Sequence, residues 1–170
     1  GRTLVLFTSY NMLNYCVNKL SNSLQEKGIN LLAQGNFPRN YILERFKEND
    51  KQIIFGTDSF WEGVDIKGEK LQYLIIMRLP FAVPTEPVTA ARMLKKAGKN
   101  PFMEYSLPWA VIKFKQGFGR LIRSKQDKGI IISFDNRLIT KHYGKIFLNS
   151  LPAGCPVEQK SIKAIIKEDI

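Results

Sequence analysis

The chain of 170 residues is long enough for one ordinary domain that buries roughly 70% of its unfolded surface, and its hydrophobic share of 44% excludes a disordered or fibrous protein. With 26 Lys and Arg against 15 Asp and Glu, the net charge is +11. Such an excess suggests a polyanionic partner, nucleic acid first, although the lysines are spread along the chain and a merely solvated surface explains the charge equally well.

Cys16 and Cys155 are far apart and the single His142 has no second ligand at metal spacing, so neither a disulfide framework nor a metal site is expected, and a reducing cytoplasm fits. No apolar run approaches the eighteen or so residues of a membrane span, and the N-terminus has no signal-peptide pattern. Gly1 and Arg2 lead at once into the apolar TLVLFTS, which predicts further sequence upstream.

In chain order, Thr3 to Ser9 is a short run of β-formers and reads as a buried strand. A helix follows over Asn11 to Lys27, with Leu13, Cys16, Val17, Leu20 and Leu24 repeating at three and four and Gly28 as its stop. Ile29 to Ala33 reads as strand, Asn40 to Phe46 as helix, Gln52 to Thr57 and Leu71 to Met77 as strands. Beyond the Pro-rich RLPFAVPTEP come a helix from Val88 to Ala97, a longer one from about Leu107 to Ile122, and a strand over Gly129 to Phe134; Pro156 to Ile170 suggests at most a short amphipathic helix.

Strands that are apolar throughout and alternate with helices predict an α/β fold, a parallel sheet of five to six strands with helices on both faces. Ligands of such sheets meet the loops at the carboxyl ends of the strands, so TSY (8 to 10), QGN (34 to 36) and GTDSFWEGVD (56 to 65) are expected on one edge.

The helix ending in QGFGRLIRS, Gln116 to Ser124, divides at about 100° per residue into a core face of Val111, Phe114, Phe118, Leu121 and Ile122 and a polar face of Lys113, Gln116, Arg120 and Arg123. Gly117 and Gly119 each cost a helix about 1 kcal/mol relative to Ala, so their presence wants a reason, and close approach of another backbone or of a ligand is one. A solvated face with tolerated glycines is the plainer reading; the choice of Arg, whose planar fork suits phosphate, counts against it. GVDIKGEK (63 to 70) has two glycines at phosphate-loop spacing, but Glu69 stands where a lysine is needed and no Ser or Thr follows, so the chain has no phosphate-binding loop of its own. Arginines without such a loop suit a phosphate held outside the chain, as arginine fingers do.

Three stretches together resemble the second RecA-like motor domain of superfamily 2 helicases, in the bacterial DinG branch of the XPD/DinG type, over essentially residues 1–170. LVLFTSY is similar to motif IV and FGTDSFWEGVDIKG to motif V. QGFGRLIRS matches the motif VI pattern Q-x-x-G-R-x-I-R at Gln116, Gly119, Arg120, Ile122 and Arg123, while LIIMRLPF and FLNSLP also fit the branch. The resemblance implies that Arg120 and Arg123 reach the β and γ phosphates of ATP with Gln116 coupling the helix to the nucleotide or to motif V, that Glu62 and Gly63 line the interdomain cleft, that Asp65 sits near the nucleotide sugar or braces an arginine, and that Gly119 belongs to the ATP site. Thr8, Ser9, Tyr10 and Thr57 would meet a single-stranded DNA backbone. Plainer roles stay open: Ser9 and Thr57 as helix caps, Glu62 and Asp65 as loop acids, Tyr10 stacked on a base or packed beneath its loop, and Trp61 as an interface or core anchor in place of a base-stacking platform.

ATP and Mg²⁺ would then be held mainly by a first motor domain outside this chain, which also lacks the acidic box and any cysteine cluster for iron and sulfur. The expected partners are single-stranded DNA and that first domain, with no membrane, and the chain alone is expected to be inactive on ATP. A non-catalytic nucleic-acid-binding module or a protein-interaction domain are the alternatives; the first leaves Gln116, Arg120 and Arg123 unexplained, the second explains neither charge nor motif.

Overall fold

The computed structural model describes residues 2–61, 71–82, 100–122 and 127–161. Five strands, β1 (Thr3–Leu6), β2 (Asn30–Ala33), β3 (Gln52–Gly56), β4 (Tyr73–Ile76) and β5 (Ile130–Ser133), form one sheet in the order β2-β3-β1-β4-β5. All four pairings are parallel and level, with Thr3 opposite both Ile53 and Tyr73. The strand ends therefore line up, and every loop that follows a strand leaves from the same edge.

Central β1 is apolar throughout because both of its faces are covered. Leu4 and Leu6 enter one cluster with Ile54, Leu74, Ile76, Ile42 and Phe46. Val5 and Phe7 enter the other with Leu13, Ala33 and Phe55. Helix α1 (Tyr10–Glu26) covers this second face through Leu13, Met12, Cys16 and Val17. The first face carries α2 (Arg39–Glu48), α3 (Asp58–Trp61), α4 (Leu107–Phe118) and α6 (Gly144–Asn149), which follows the single turn α5 (Arg137–Thr140). Right-handed crossovers demand this division, since β1 to β2 runs one way along the sheet and β2 to β3 and β4 to β5 run the other.

Ends of elements have local causes. Ser9 is extended and its hydroxyl oxygen accepts from the Met12 N–H, capping α1. At the far end Gly28 has φ +66, its N–H donates to Gln25 O, and the Ile29 N–H donates to Leu24 O, a Schellman stop that needs a left-handed residue. A π-helical turn, Phe102–Ser106, leads into α4, and the Leu107 N–H reaches back five residues to Phe102 O. Pro108 has no N–H to give Glu104 O, so the preceding turn widens.

The sequence places the five strands and α1, α2 and α4 within a few residues. It extends α4 to Ile122, whereas the helix ends at Phe118 with Gly119 as its cap. The π-helical turn, α3, α5 and α6 are not foreseen, the helix expected over 88 to 97 lies outside the described residues, and residues 156–161 of the tail have no regular structure. Among the described residues no helix is long and apolar enough to cross a membrane, and both cysteines are free.

A buried clasp joins β4 to β5. One Asp135 carboxylate oxygen accepts from the Leu79 N–H at 2.8 Å, the other from the Arg137 N–H at 3.0 Å, and the Arg137 guanidinium pairs with both. Burial pushes this carboxyl up, but the hydrogen bonds from Arg137 and from the Leu79 N–H outweigh it and hold it below the ordinary range. The native pKa is thus below the unfolded value of about 4, so the stabilisation is whole above that pH and is lost as pH falls through the native pKa. Asp135→Ala is expected to cost about 2–4 kcal/mol at neutral pH by stranding the Leu79 N–H and the guanidinium. In urea denaturation at a series of pH values, its deficit against wild type should shrink below about pH 4.

Candidate active-site edge

At the carboxyl edge of the sheet, the loops after β1, β2 and β3 are fastened by Gln34. Its amide nitrogen donates to the Tyr10 hydroxyl at 2.6 Å and to Ser59 Oγ at 3.0 Å, and its amide oxygen accepts from the Thr57 N–H at 2.7 Å and Oγ1 at 3.1 Å. Four bonds from one side chain join three loops, which is possible because an amide is both donor and acceptor. Tyr10 and Thr57 are thereby brought together. Tyr10 is exposed, whereas Thr57 is buried and its hydroxyl is given to Gln34. Ser9 is exposed and engaged as a cap, and Thr8 beside it is half-buried.

Trp61 is fully buried and links this edge to α4. Its indole N–H donates to Phe7 O at 3.1 Å, at the end of β1. Its ring occupies the space over Gly117, where a Cβ would fall 2.8 Å from the ring and 3.3 Å from Leu6. Its carbonyl accepts from Arg120 Nε at 3.1 Å. What approaches Gly117 is thus a side chain, and not the backbone or ligand that the sequence suggests. Gly119 is different: at φ −65 an added Cβ would meet nothing nearer than Lys115 O at 3.4 Å.

Arg120 follows the helix instead of standing on it. The Gly119 N–H still donates to Lys115 O, then the Arg120 N–H to Gly117 O and the Leu121 N–H to Phe118 O, a tightening turn that keeps Leu121 buried and Arg120 half-buried. Gln116 is exposed on the last turn of α4. Lys113, on the expected cationic face, is paired with Asp58 of α3 at 2.7 Å. Glu62, Gly63, Asp65 and Arg123 lie outside the described residues. No group of His, Cys, Asp or Glu among the described residues has a geometry for holding a metal ion.

Sequence reasoning places QGN on this edge without giving Gln34 a task; its two-sided amide in a strand-end loop is the available signal. The tie from Trp61 to Arg120 has no signal in spacing, because it spans 59 residues.

The level parallel sheet, covered on both sides and with its working loops on one edge, is a RecA-like α/β domain. A solved XPD helicase chain has the same fold, with a TM-score of 0.67 at 18% identity over 88% of this chain and 27% of that one. The Helicase C-terminal domain family matches residues 1–154, and the chain belongs to it. A Bacillus subtilis protein named "3'-5' exonuclease DinG" is 46% identical over 89% of this chain and 17% of its own length. A Haemophilus influenzae protein named "ATP-dependent DNA helicase YoaA" is 43% identical over 89% and 24%. The chain thus spans less than a quarter of either relative.

The two glycines are expected to respond oppositely to alanine. Gly117→Ala should lower stability by about 1–2 kcal/mol, the overpacking against Trp61 exceeding the gain in helix propensity. Gly119→Ala should be neutral or slightly stabilising. Chemical denaturation of the two variants measures the contrast.

Proposed function

We propose that this chain is the C-terminal motor domain of a larger ATP-dependent DNA helicase, which offers Arg120 and Arg123 to a nucleotide on a partner motor domain and holds single-stranded DNA along its sheet edge. The reading rests on family membership, on the helicase name of the Haemophilus relative, and above all on one contact, Arg120 Nε on the Trp61 carbonyl. That bond fixes the Arg120 side chain to the backbone at the end of α3.

ATP fits the donor set in part. A half-buried guanidinium held by a backbone carbonyl suits a phosphate, and Mg²⁺ with most of the nucleotide is assigned to the partner domain. Bound there, ATP supplies the free energy of phosphate transfer to water. Arg120 and Arg123 stabilise charge developing on the phosphate, Gln116 orients the helix end, and Glu62, Gly63, Asp65 and Gly119 line the cleft. Thr8, Ser9 and Tyr10 meet strand phosphates, with Thr57 bracing Tyr10 through Gln34. Closing and opening of the cleft then moves this grip along the strand.

In the full-length protein, Arg120→Ala is expected to cut DNA-stimulated ATP turnover by roughly 10³ to 10⁵, the range for loss of an arginine finger, with little change in DNA binding. Arg120→Lys should rescue little, because lysine has no planar fork. Loss of the bond to Trp61 O should cost only about 1 kcal/mol of stability, so ATPase rates read beside melting temperatures separate the two effects. Near wild-type turnover in both variants would sink the assignment.

The chain itself should bind oligodeoxynucleotides with little sequence preference, and log affinity should fall against log salt with a slope of about −0.7 per phosphate contacted. Fluorescence anisotropy at several salt concentrations gives the slope; a flat line would favour a protein-interaction domain.

A further inference from the structure

The outer side of α4 carries an apolar stripe that the fold leaves bare. Trp109 and Ile112 are each 50% exposed, and Gln116, also exposed, continues the line one turn further on. At about 100° per residue Trp109 and Gln116 fall within about 20° of each other, with Ile112 about 40–60° to one side. The stripe from Trp109 to Gln116 is about 10 Å long. Arg120 comes four residues after Gln116, directly past the end of the helix at Phe118. Apolar groups, amide and arginine therefore follow one another along a single element.

Singly exposed apolar residues are ordinary, and Ile139 on α5, 54% exposed, is one. Trp109 differs from it. Its ring lies 6.2 Å from that of buried Tyr105 at an angle of 52°, an aromatic contact that favours one placement of the indole. Ile112 stands beside it on the next turn. A large aromatic, already oriented and with an apolar neighbour, is the kind of group that anchors protein interfaces. The charge around it is also defined: Lys113 is given to Asp58, which leaves Lys115 as the exposed cation of α4.

We infer that this stripe docks on the partner motor domain when the cleft closes over nucleotide, Trp109 entering an apolar hollow there and Lys115 meeting a carboxylate at its margin. The inference rests on the function proposed above, and adds to the arginines that act between the domains a surface that holds the domains together. Magnitudes decide between the occupants. A stable complex of two free proteins needs roughly 800 Å² from each, far more than two turns of helix present, and two copies of this chain would each bring a charge of +11. A domain of the same polypeptide needs much less, because tethering raises its effective concentration to about the millimolar range. Closure then buries Trp109 and brings Arg120 to phosphate in one movement, so the stripe contributes to nucleotide affinity without touching the nucleotide.

The test uses the full-length protein, with ATPase rates measured at saturating single-stranded DNA over a range of ATP concentrations. Trp109→Ala should raise the KM for ATP roughly 5- to 30-fold, as loss of an aromatic anchor does, with kcat nearly unchanged, since the contact is equally strong before and during the reaction. Trp109→Phe should restore most of the affinity, Ile112→Gln should shift KM in the same direction, and Ile139→Ala should leave it alone. Melting temperatures should stay near wild type, as for exposed positions generally. An unchanged KM in Trp109→Ala, or an equal rise in Ile139→Ala, would overturn the docking surface. A benzophenone amino acid at position 112, irradiated with adenylyl imidodiphosphate and Mg²⁺ present, should crosslink within one molecule to the motor domain that holds the nucleotide. A crosslink to a second molecule or to any other part of the polypeptide, or none at all, would overturn it as well. Wild-type turnover in Arg120→Ala would instead sink the reading on which the inference rests, while lost turnover there beside an unaffected Trp109→Ala overturns the docking surface alone.

Discussion

Trp61 sits where three structures must meet: the end of the central strand, the loop after β3, and the end of α4. Its indole is too large to be buried by a single neighbour and carries a donor that needs a partner. Both demands are met by specific groups, the Phe7 carbonyl for the N–H and the bare backbone of Gly117 for the ring. With the ring so placed, the Trp61 carbonyl has little freedom, and it is this carbonyl that holds Arg120. Position is transmitted from sheet to loop to arginine through a rigid side chain and two hydrogen bonds.

Gln34 has the complementary part on the other side of that loop. Trp61 fixes it from beneath, through the core; Gln34 fixes it from the rim, through Thr57 and Ser59, and ties it to Tyr10 at the start of α1. The Lys113 to Asp58 pair adds a third tie between α3 and α4, though a pair with one exposed partner contributes little energy and serves mainly to set direction. The stretch from Thr57 to Trp61, held at both margins, is thus ordered by the rest of the fold.

Much of this was readable from the residues. Runs such as Leu4 to Phe7 and Ile53 to Phe55 lack polar alternation, which only a doubly covered sheet tolerates, and motif VI together with FWEGVD carried the family. The end of α4 was not readable. Phe118 to Ile122 continue in a tight turn that keeps Leu121 inside, so the apolar spacing persists after the helix stops. One-turn helices such as Asp58–Trp61 have no period to detect. Pairings like Gln34 with Tyr10 and Thr57 depend on β2, β3 and β1 being neighbours, an order that a list of strands does not contain.

The burial of Trp61 has an optical consequence. The chain has two tryptophans, and the other, Trp109, is 50% exposed on the outer side of α4. Replacing Trp109 with Phe would leave a single indole, enclosed between Phe7, Gly117 and Arg120, whose emission colour depends on whether water reaches it. The protein thus contains its own probe of the junction between sheet, loop and arginine, and a shift of that emission would register strain at the junction without any attached dye.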